Sequence, residues 1–197
     1  MSFAKLVFTP LSFTGPGAIA QLLPEVAKHR PSRILVVTDA VLRQIGAVDG
    51  VLAPLVAEGY SIDIYSDTVP EPPLEVGERL VAYTRSEGFD LVIGIGGGSA
   101  MDLAKLAAVL APQEGNVADY LNLSGSCKPE HKGLPKILIP TTSGTGSEVT
   151  DIAVLSLATT KDVVTHPFLL ADTAIVDPDL TLTVPAKVTA ATGIDAL

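Results

Sequence analysis

Residues 91–105 read LVIGIGGGSAMDLAK, and this stretch decides the fold. It begins with an apolar run, continues through three consecutive glycines, Gly96, Gly97 and Gly98, and ends with apolar residues at helical spacing. The pattern predicts a strand, a glycine turn and a helix. Glycines let the backbone approach a ligand closely, and the free N–H groups at a helix start favour an anion such as phosphate. A tight turn without a ligand is the alternative interpretation.

The glycine turn departs from the usual dinucleotide fingerprint. Ser99 occupies the position of the third glycine in G-x-G-x-x-G, and the loop follows the third strand of the predicted α/β alternation instead of the first. Asp102 is expected in the first helical turn, where its charge would complement the helix dipole. The sequence therefore predicts a phosphate cradle without a standard Rossmann assignment.

Strands and helices alternate along the rest of the chain. A continuous apolar run at 33–38 predicts a buried parallel strand, and residues 61–65 and 136–139 predict two more. Residues 74–87 predict a helix, and residues 5–14 predict short β structure. This alternation is typical of an α/β fold with a Rossmann-like, doubly wound, mainly parallel sheet, here with an N-terminal β extension.

Polar side chains follow two of these strands. Asp39 comes directly after 33–38, where a carboxylate could accept both hydroxyls of an adenine ribose or could cap the helix that begins at Ala40. After 136–139, residues 140–148 read PTTSGTGSE, a loop rich in hydroxyl groups. Such a loop is often only a solvated turn. Because the carboxyl ends of parallel strands open on one crevice, we expect both features to line the same ligand cleft.

The composition of the chain argues against several classes of protein. A formal net charge of -9 disfavours a nucleic-acid partner. The single cysteine, Cys127, permits no internal disulfide and predicts a reducing, cytoplasmic setting. The sequence has neither a signal-peptide pattern nor an apolar run of the roughly 18 residues that a membrane span needs, so no membrane association is expected. A mean hydropathy of +0.42 indicates surface that a partner covers.

Four segments together resemble one known family. They are GGGSAMDLAK at 96–105, PTTSGTGSEVT at 140–150, AIVDPDLTLTVP at 174–185 and AATGIDAL at 190–197. In this order they resemble the iron-dependent, or group III, alcohol dehydrogenases. The resemblance implies a dinucleotide-binding α/β domain at 1–185, with 186–197 starting a helical metal-binding domain whose remainder is absent from these residues. It also implies NAD(P), a divalent metal, and hydride transfer between alcohols and aldehydes or ketones.

The resemblance also implies site residues, position by position. Those that would bind the pyrophosphate and approach the nicotinamide are Gly96, Gly97, Gly98, Ser99 and Asp102. Those that would bind the adenine ribose or line the cofactor cleft are Asp39, Thr141, Thr142, Thr145, Ser147, Val154 and Lys161. Lys161 matches only if the hairpin that precedes it is shorter than in the family, and Glu71 stands where the family often has asparagine.

Asp195 begins the family's metal-binding pattern. In that pattern an aspartate and a histidine four positions later bind the metal together with two further histidines of the helical domain. Position 199 lies outside the 197 residues, and His29, His131 and His166 fit no metal-site spacing. The resemblance therefore implies Asp195 as one ligand of an incomplete site, with Fe²⁺ or Zn²⁺ bound only by the full-length enzyme.

The expected partners follow from the same resemblance. They are a nicotinamide dinucleotide, preferentially NAD, a small alcohol or carbonyl substrate, the missing C-terminal domain, and a second copy of the chain in a homo-oligomer. We expect the full-length enzyme to be an NAD-dependent alcohol dehydrogenase and these 197 residues alone to be inactive. A stand-alone nucleotide-binding module that has lost its catalysis is the alternative.

Overall fold

A computed structural model describes residues 8–197 and contains two sheets. In chain order the strands are β1 (Ser12–Thr14), β2 (Ile34–Asp39), β3 (Ile62–Thr68), β4 (Leu91–Gly96), β5 (Lys136–Pro140), β6 (Ile152–Ser156), β7 (Lys161–Thr165) and β8 (Thr173–Val176). The main sheet has the order β1-β8-β5-β4-β2-β3, and every pairing in it is parallel. Strands β6 and β7 form a separate antiparallel hairpin.

Helices cover both faces of the main sheet. The α-helices of the described part are α1 (Leu22–His29), α2 (Ala40–Gln44), α3 (Ala47–Ala57), α4 (Leu74–Glu87), α5 (Gly98–Leu110) and α6 (Ala186–Asp195). Helices α1 and α3 lie on one face and α4 and α5 on the other. Because side chains alternate along a strand, β2 contributes Leu35 and Val37 to a core shared with α4 and α5. It contributes Ile34 and Val36 to a second core shared with α1 and α3. The predicted doubly wound α/β fold is thus confirmed.

Helix α5 is the centre of the fold. Eleven of its residues are buried, from Ala100 to Leu110, which is the pattern of a helix enclosed on all sides. Gly94 in β4 explains how the helix packs so closely on the sheet: a Cβ at this position would lie 2.8 Å from the Cβ of Ala104. The absence of a side chain at Gly94 therefore fixes how near α5 lies to β4.

The strand order places a binding crevice between β2 and β4. The chain passes from β2 outward to β3 and then returns across the sheet to β4 and β5, so the order reverses between these two strands. Open α/β sheets bind ligands outside the carboxyl ends of the strands at such a switch point. Asp39 ends β2 and Gly96 ends β4, which places both predicted features at this edge.

Several boundaries differ from the sequence predictions. Of the predicted β structure at 5–14, residues 5–7 lie outside the described part, and the strand itself covers only Ser12–Thr14. It is an edge strand of the parallel sheet, paired with β8, which the sequence patterns did not predict. Asp102 lies beyond the first turn of α5, because the helix already begins at Gly98, so the expected dipole role is wrong.

None of the helices within residues 8–197 combines the length and the apolar character that crossing a bilayer requires.

Candidate functional site

The start of α5 provides unpaired backbone donors at the switch point. The helix has 13 residues, and its N-cap, Gly97, offers no side-chain acceptor to the first N–H groups. The preceding Gly96 has φ 150°, a conformation that residues with a Cβ rarely adopt. Because the positive end of the helix dipole lies at the same place, this turn is suited to bind an anion.

The hydroxyl-rich loop after β5 packs directly against the glycine turn. The backbone N–H of Thr141 donates to the carbonyl of Gly96 at 3.0 Å. A Cβ on Gly98 would lie 2.9 Å from Cγ2 and 3.1 Å from Oγ1 of Thr145. A Cβ on Gly97 would lie 3.4 Å from Oγ1 of Thr142. The two stretches that the sequence singled out are therefore in contact, and Gly98 permits an approach of Thr145 that a larger residue would block.

A cavity of about 490 Å³ opens beside this contact. Eight of its lining residues are those predicted from sequence: Gly98, Ser99, Asp102, Thr145, Ser147, Val154, Lys161 and Asp195. The remaining lining residues are Glu71, Pro72, Thr150, Ile152 and Ser156. The cavity therefore joins the start of α5, the loop after β5, the β6–β7 hairpin and the end of α6.

Four predicted residues take other places near the same edge. Thr142 lines a second cavity of about 430 Å³, together with Ser143 and Gly144 of the same loop. Thr141 belongs to the same loop and is buried. Gly96 and Gly97 form the turn itself and do not line the first cavity.

Asp39 caps a helix. Its Oδ1 accepts from the backbone N–H groups of Val41 and Leu42, both at 2.9 Å, which is the N-cap geometry of α2. Its Oδ2 lies 3.7 Å from the position of a Cβ on Gly96. The structure therefore shows the helix cap that was one of the two predicted roles of Asp39. The carboxylate also lies next to the glycine turn, where the adenine ribose was predicted to bind.

Asp102 joins three elements at the floor of the cavity. Its Oδ1 accepts from the hydroxyl of Ser147 at 2.6 Å and from Nζ of Lys105 at 3.1 Å. Its Oδ2 accepts from the backbone N–H of Val154 at 3.0 Å. Asp102 thereby connects α5 to the loop after β5 and to the β6–β7 hairpin.

Lys105 is a site residue that the sequence reasoning did not single out. Its side chain is fully buried, and Nζ donates also to the carbonyl of Ile152 at 2.7 Å and to the hydroxyl of Thr150 at 3.2 Å. Burial lowers the pKa of Lys105, and the neighbouring Asp102 carboxylate partly offsets that effect. The available signal was an aspartate and a lysine three positions apart in an otherwise apolar helix.

Lys161 and Glu71 face each other in the cavity. Nζ of Lys161 lies 2.8 Å from Oε1 of Glu71, and both side chains are more than half exposed. Glu71 has φ 50°. The predicted cofactor lysine therefore has a carboxylate partner in this structure.

Asp195 contributes a single carboxylate to the cavity, from the last residue of α6. Within residues 8–197, no group of three or more histidine, cysteine, aspartate or glutamate side chains could hold a metal ion. His166 is engaged elsewhere, since its Nδ1 accepts from the backbone N–H of Phe168. The donors in this part of the chain therefore do not fit a metal centre by themselves.

Comparison with known protein families identifies the family of this chain. Residues 10–178 match the model of the iron-containing alcohol dehydrogenases. The chain belongs to this family. Over 197 residues it is 68% identical to Long-chain-alcohol dehydrogenase 1 of Geobacillus thermodenitrificans (strain NG80-2), and the match covers 100% of this chain and 50% of that protein.

Solved structures of other proteins share the fold. A crystal structure of 1,3-propanediol oxidoreductase has a TM-score of 0.88 and 32% identity, over 98% of this chain and 50% of that one. Sulfoacetaldehyde reductase from Bifidobacterium kashiwanohense, solved in complex with NAD+, has a TM-score of 0.86 and 29% identity, over 98% and 51%. The chain spans about half the length of the curated relatives it matches.

Proposed function

We propose that this chain is the nucleotide-binding half of an NAD-dependent alcohol dehydrogenase that interconverts small alcohols with aldehydes or ketones by hydride transfer. The observation that carries the proposal is the start of α5. It has no side-chain cap, it follows a glycine turn at the switch point of the sheet, and it is covered by the loop after β5. Membership of the iron-containing family supports the same function.

Different residues of the cleft would bind different parts of the dinucleotide. The backbone N–H groups of Gly98 and Ser99 would bind the pyrophosphate, and Thr145 would cover it from the opposite side. Ser147, held by Asp102, and the backbone of Val154 would shape the wall on which the nicotinamide end lies. When bound, the nicotinamide supplies the group that accepts or donates the hydride.

Asp39 supports a preference for NAD over NADP. A carboxylate at the end of β2 accepts hydrogen bonds from two ribose hydroxyls, and it repels a 2′-phosphate. Thr141 and Thr142 would complete this side of the cleft, next to Gly96 and Gly97. The capping role of Asp39 is compatible with this assignment because both capping hydrogen bonds go to Oδ1, while Oδ2 lies beside the Cβ position of Gly96.

The metal and the substrate walls would come mainly from outside these residues. Asp195 would supply one ligand to Fe²⁺ or Zn²⁺, and a helical domain that starts at 186 would supply the others and cover the cleft. Exposed apolar side chains in and before α6, namely Leu182, Val188 and Ile194, are consistent with such a cover. We also infer a homo-oligomer and, from the single cysteine, a cytoplasmic location.

Calorimetric titration of NADH into the 197-residue chain tests the proposal. We expect saturable binding at one site per chain, weaker than in a full-length relative, whose helical domain we propose to cover the cleft. A titration without saturable heat, in protein that circular dichroism shows to be folded, would contradict it. Binding that persists in a full-length protein with no alcohol oxidation would instead favour a nucleotide-binding module without catalysis.

A further inference from the structure

The loop that carries Glu71 holds this residue in an unusual backbone conformation. Two residues other than glycine have a positive φ in the described part of the chain, Arg30 at 49° and Glu71 at 50°. Arg30 terminates α1, where the left-handed conformation is ordinary. Glu71 terminates no helix and lies between Pro70 and Pro72. An unfavourable conformation that is kept without a capping role is typical of functional sites.

Two contacts fix the position of this loop relative to the β6–β7 hairpin. The backbone N–H of Ser156 donates to the carbonyl of Pro72 at 2.9 Å, and Pro73 forms an isolated bridge with Ser156. Ser156 is also the register partner of Lys161 across the hairpin. One residue therefore connects the glutamate loop to the strand that presents the lysine, and the 2.8 Å ion pair between Lys161 and Glu71 follows from this arrangement.

The ion pair lies in the cavity that also contains the start of α5. Glu71 and Lys161 line the same 490 Å³ as Gly98 and Ser99. A dinucleotide pyrophosphate at the start of α5 would bring two negative charges into this space, and Lys161 is the cavity cation that could turn toward them. The ammonium group of Lys161 cannot stay in contact with Glu71 and also move toward a phosphate.

We propose that Glu71 competes with the bound dinucleotide for Lys161 and so lowers the affinity of the cleft for NAD(H). The inference rests on the proposed function and adds a residue that tunes it. Both side chains are largely exposed, so the pair contributes only what a surface ion pair contributes. The presence of Glu71 is therefore expected to weaken NAD(H) binding only slightly, by about threefold. Its benefit would be faster release of the nucleotide, a step that often limits turnover.

Titrations of NADH into the wild-type 197-residue chain and five variants test the competition. We expect Glu71→Gln to bind NADH about threefold more tightly than the wild type. The same substitution in a Lys161→Met background should give no gain, because the contested cation is gone. Glu75→Gln removes an exposed carboxylate four residues away that does not line the cavity, and it should leave the affinity unchanged.

Glu71→Asn serves as a second test of the same charge, because asparagine tolerates a positive φ and the variant is not expected to unfold. Equal gains from Glu71→Gln with and without Lys161 would show that Glu71 acts by general repulsion and would overturn the proposal. No gain in either Glu71 variant, with a wild type that binds NADH, would overturn it as well and leave the proposed function intact. A wild type that binds no NADH would overturn the proposed function first, and this inference with it.

Discussion

Lys136 shows how one buried side chain makes stability depend on pH. It starts β5 with a fully buried side chain, and Nζ lies 3.6 Å from Oδ2 of Asp172, beyond hydrogen-bond distance. Lys132 binds the other oxygen of Asp172 at 2.5 Å. Burial lowers the pKa of Lys136 from 10.5 to about 8, and the attraction of Asp172 offsets this only in part.

The first prediction concerns the stability of the folded chain between pH 8 and 10.5. In this window the unfolded lysine binds more protons than the folded one, so the free energy of unfolding attributable to Lys136 rises with pH. The rise should be on the order of 3 kcal/mol. Urea unfolding at pH 7 and pH 10 should show a rise in the wild type that exceeds the rise in Lys136→Met by about this amount, because Lys105 is present in both proteins. The same pH slope in both proteins would show that Lys136 titrates normally.

The second prediction separates the two roles of Asp39. Asp39→Asn keeps a side-chain oxygen that caps α2 but removes the charge that would repel a 2′-phosphate. We expect the wild type to bind NADH at least about tenfold more tightly than NADPH, and this difference to narrow in Asp39→Asn. Thermal unfolding should be nearly unchanged. An unaltered cofactor preference in the variant would show that Asp39 only caps the helix.

At the scale of elements, Asp102 holds the β6–β7 hairpin on α5. Removing it would leave the ammonium group of Lys105 buried without its carboxylate, and would release Ser147 and the backbone of Val154. The third prediction is that Asp102→Ala lowers the free energy of unfolding by about 3 kcal/mol. Asp102→Leu combined with Lys105→Met should cost less, because no unpaired charge remains. Chemical denaturation of the three proteins checks this, and a double variant less stable than Asp102→Ala would contradict it.

Elements with a long, regular pattern could be predicted from the sequence. Residues 91–105 contain a continuous apolar run, three glycines and apolar residues at helical spacing. These patterns predict strand β4, the glycine turn and α5. Strand β8 has four residues, too few for a periodic pattern, and it is a strand because β5 and β1 pair with it. Local patterns cannot show such pairing between distant segments.

The parts of the candidate site that directly follow strands could be predicted from the sequence. Asp39, the glycine turn and the loop at 140–148 all follow strands, so their meeting at one edge follows from the parallel sheet. The contact of Lys105 with Ile152 joins positions 47 residues apart, and the Lys161–Glu71 pair joins positions 90 apart. These contacts depend on how the hairpin packs on α5, which no local pattern encodes.

At the scale of the whole molecule, the described chain has one side that is not packed. Helix α6 has no buried residue, yet its end lines the cavity through Asp195, and its backbone at Thr192 lies against Gly144 of the loop after β5. The start of α5, the loop after β5 and the β6–β7 hairpin therefore line most of the cavity, and the solvent-exposed helix α6 contributes only Asp195. This is the arrangement expected for a cleft that a further domain completes.

The central claim is that the start of α5 binds the dinucleotide, and one pair of glycine substitutions tests it. Gly98→Ala adds a Cβ that would lie 2.9 Å from the Thr145 side chain and would force Thr145 to move at the start of α5, whereas Gly50→Ala in α3 adds a Cβ that meets nothing within 4 Å. In calorimetric titrations with NADH we predict that Gly98→Ala weakens binding at least about tenfold and that Gly50→Ala leaves it unchanged. Wild-type affinity in a folded Gly98→Ala chain would contradict the account.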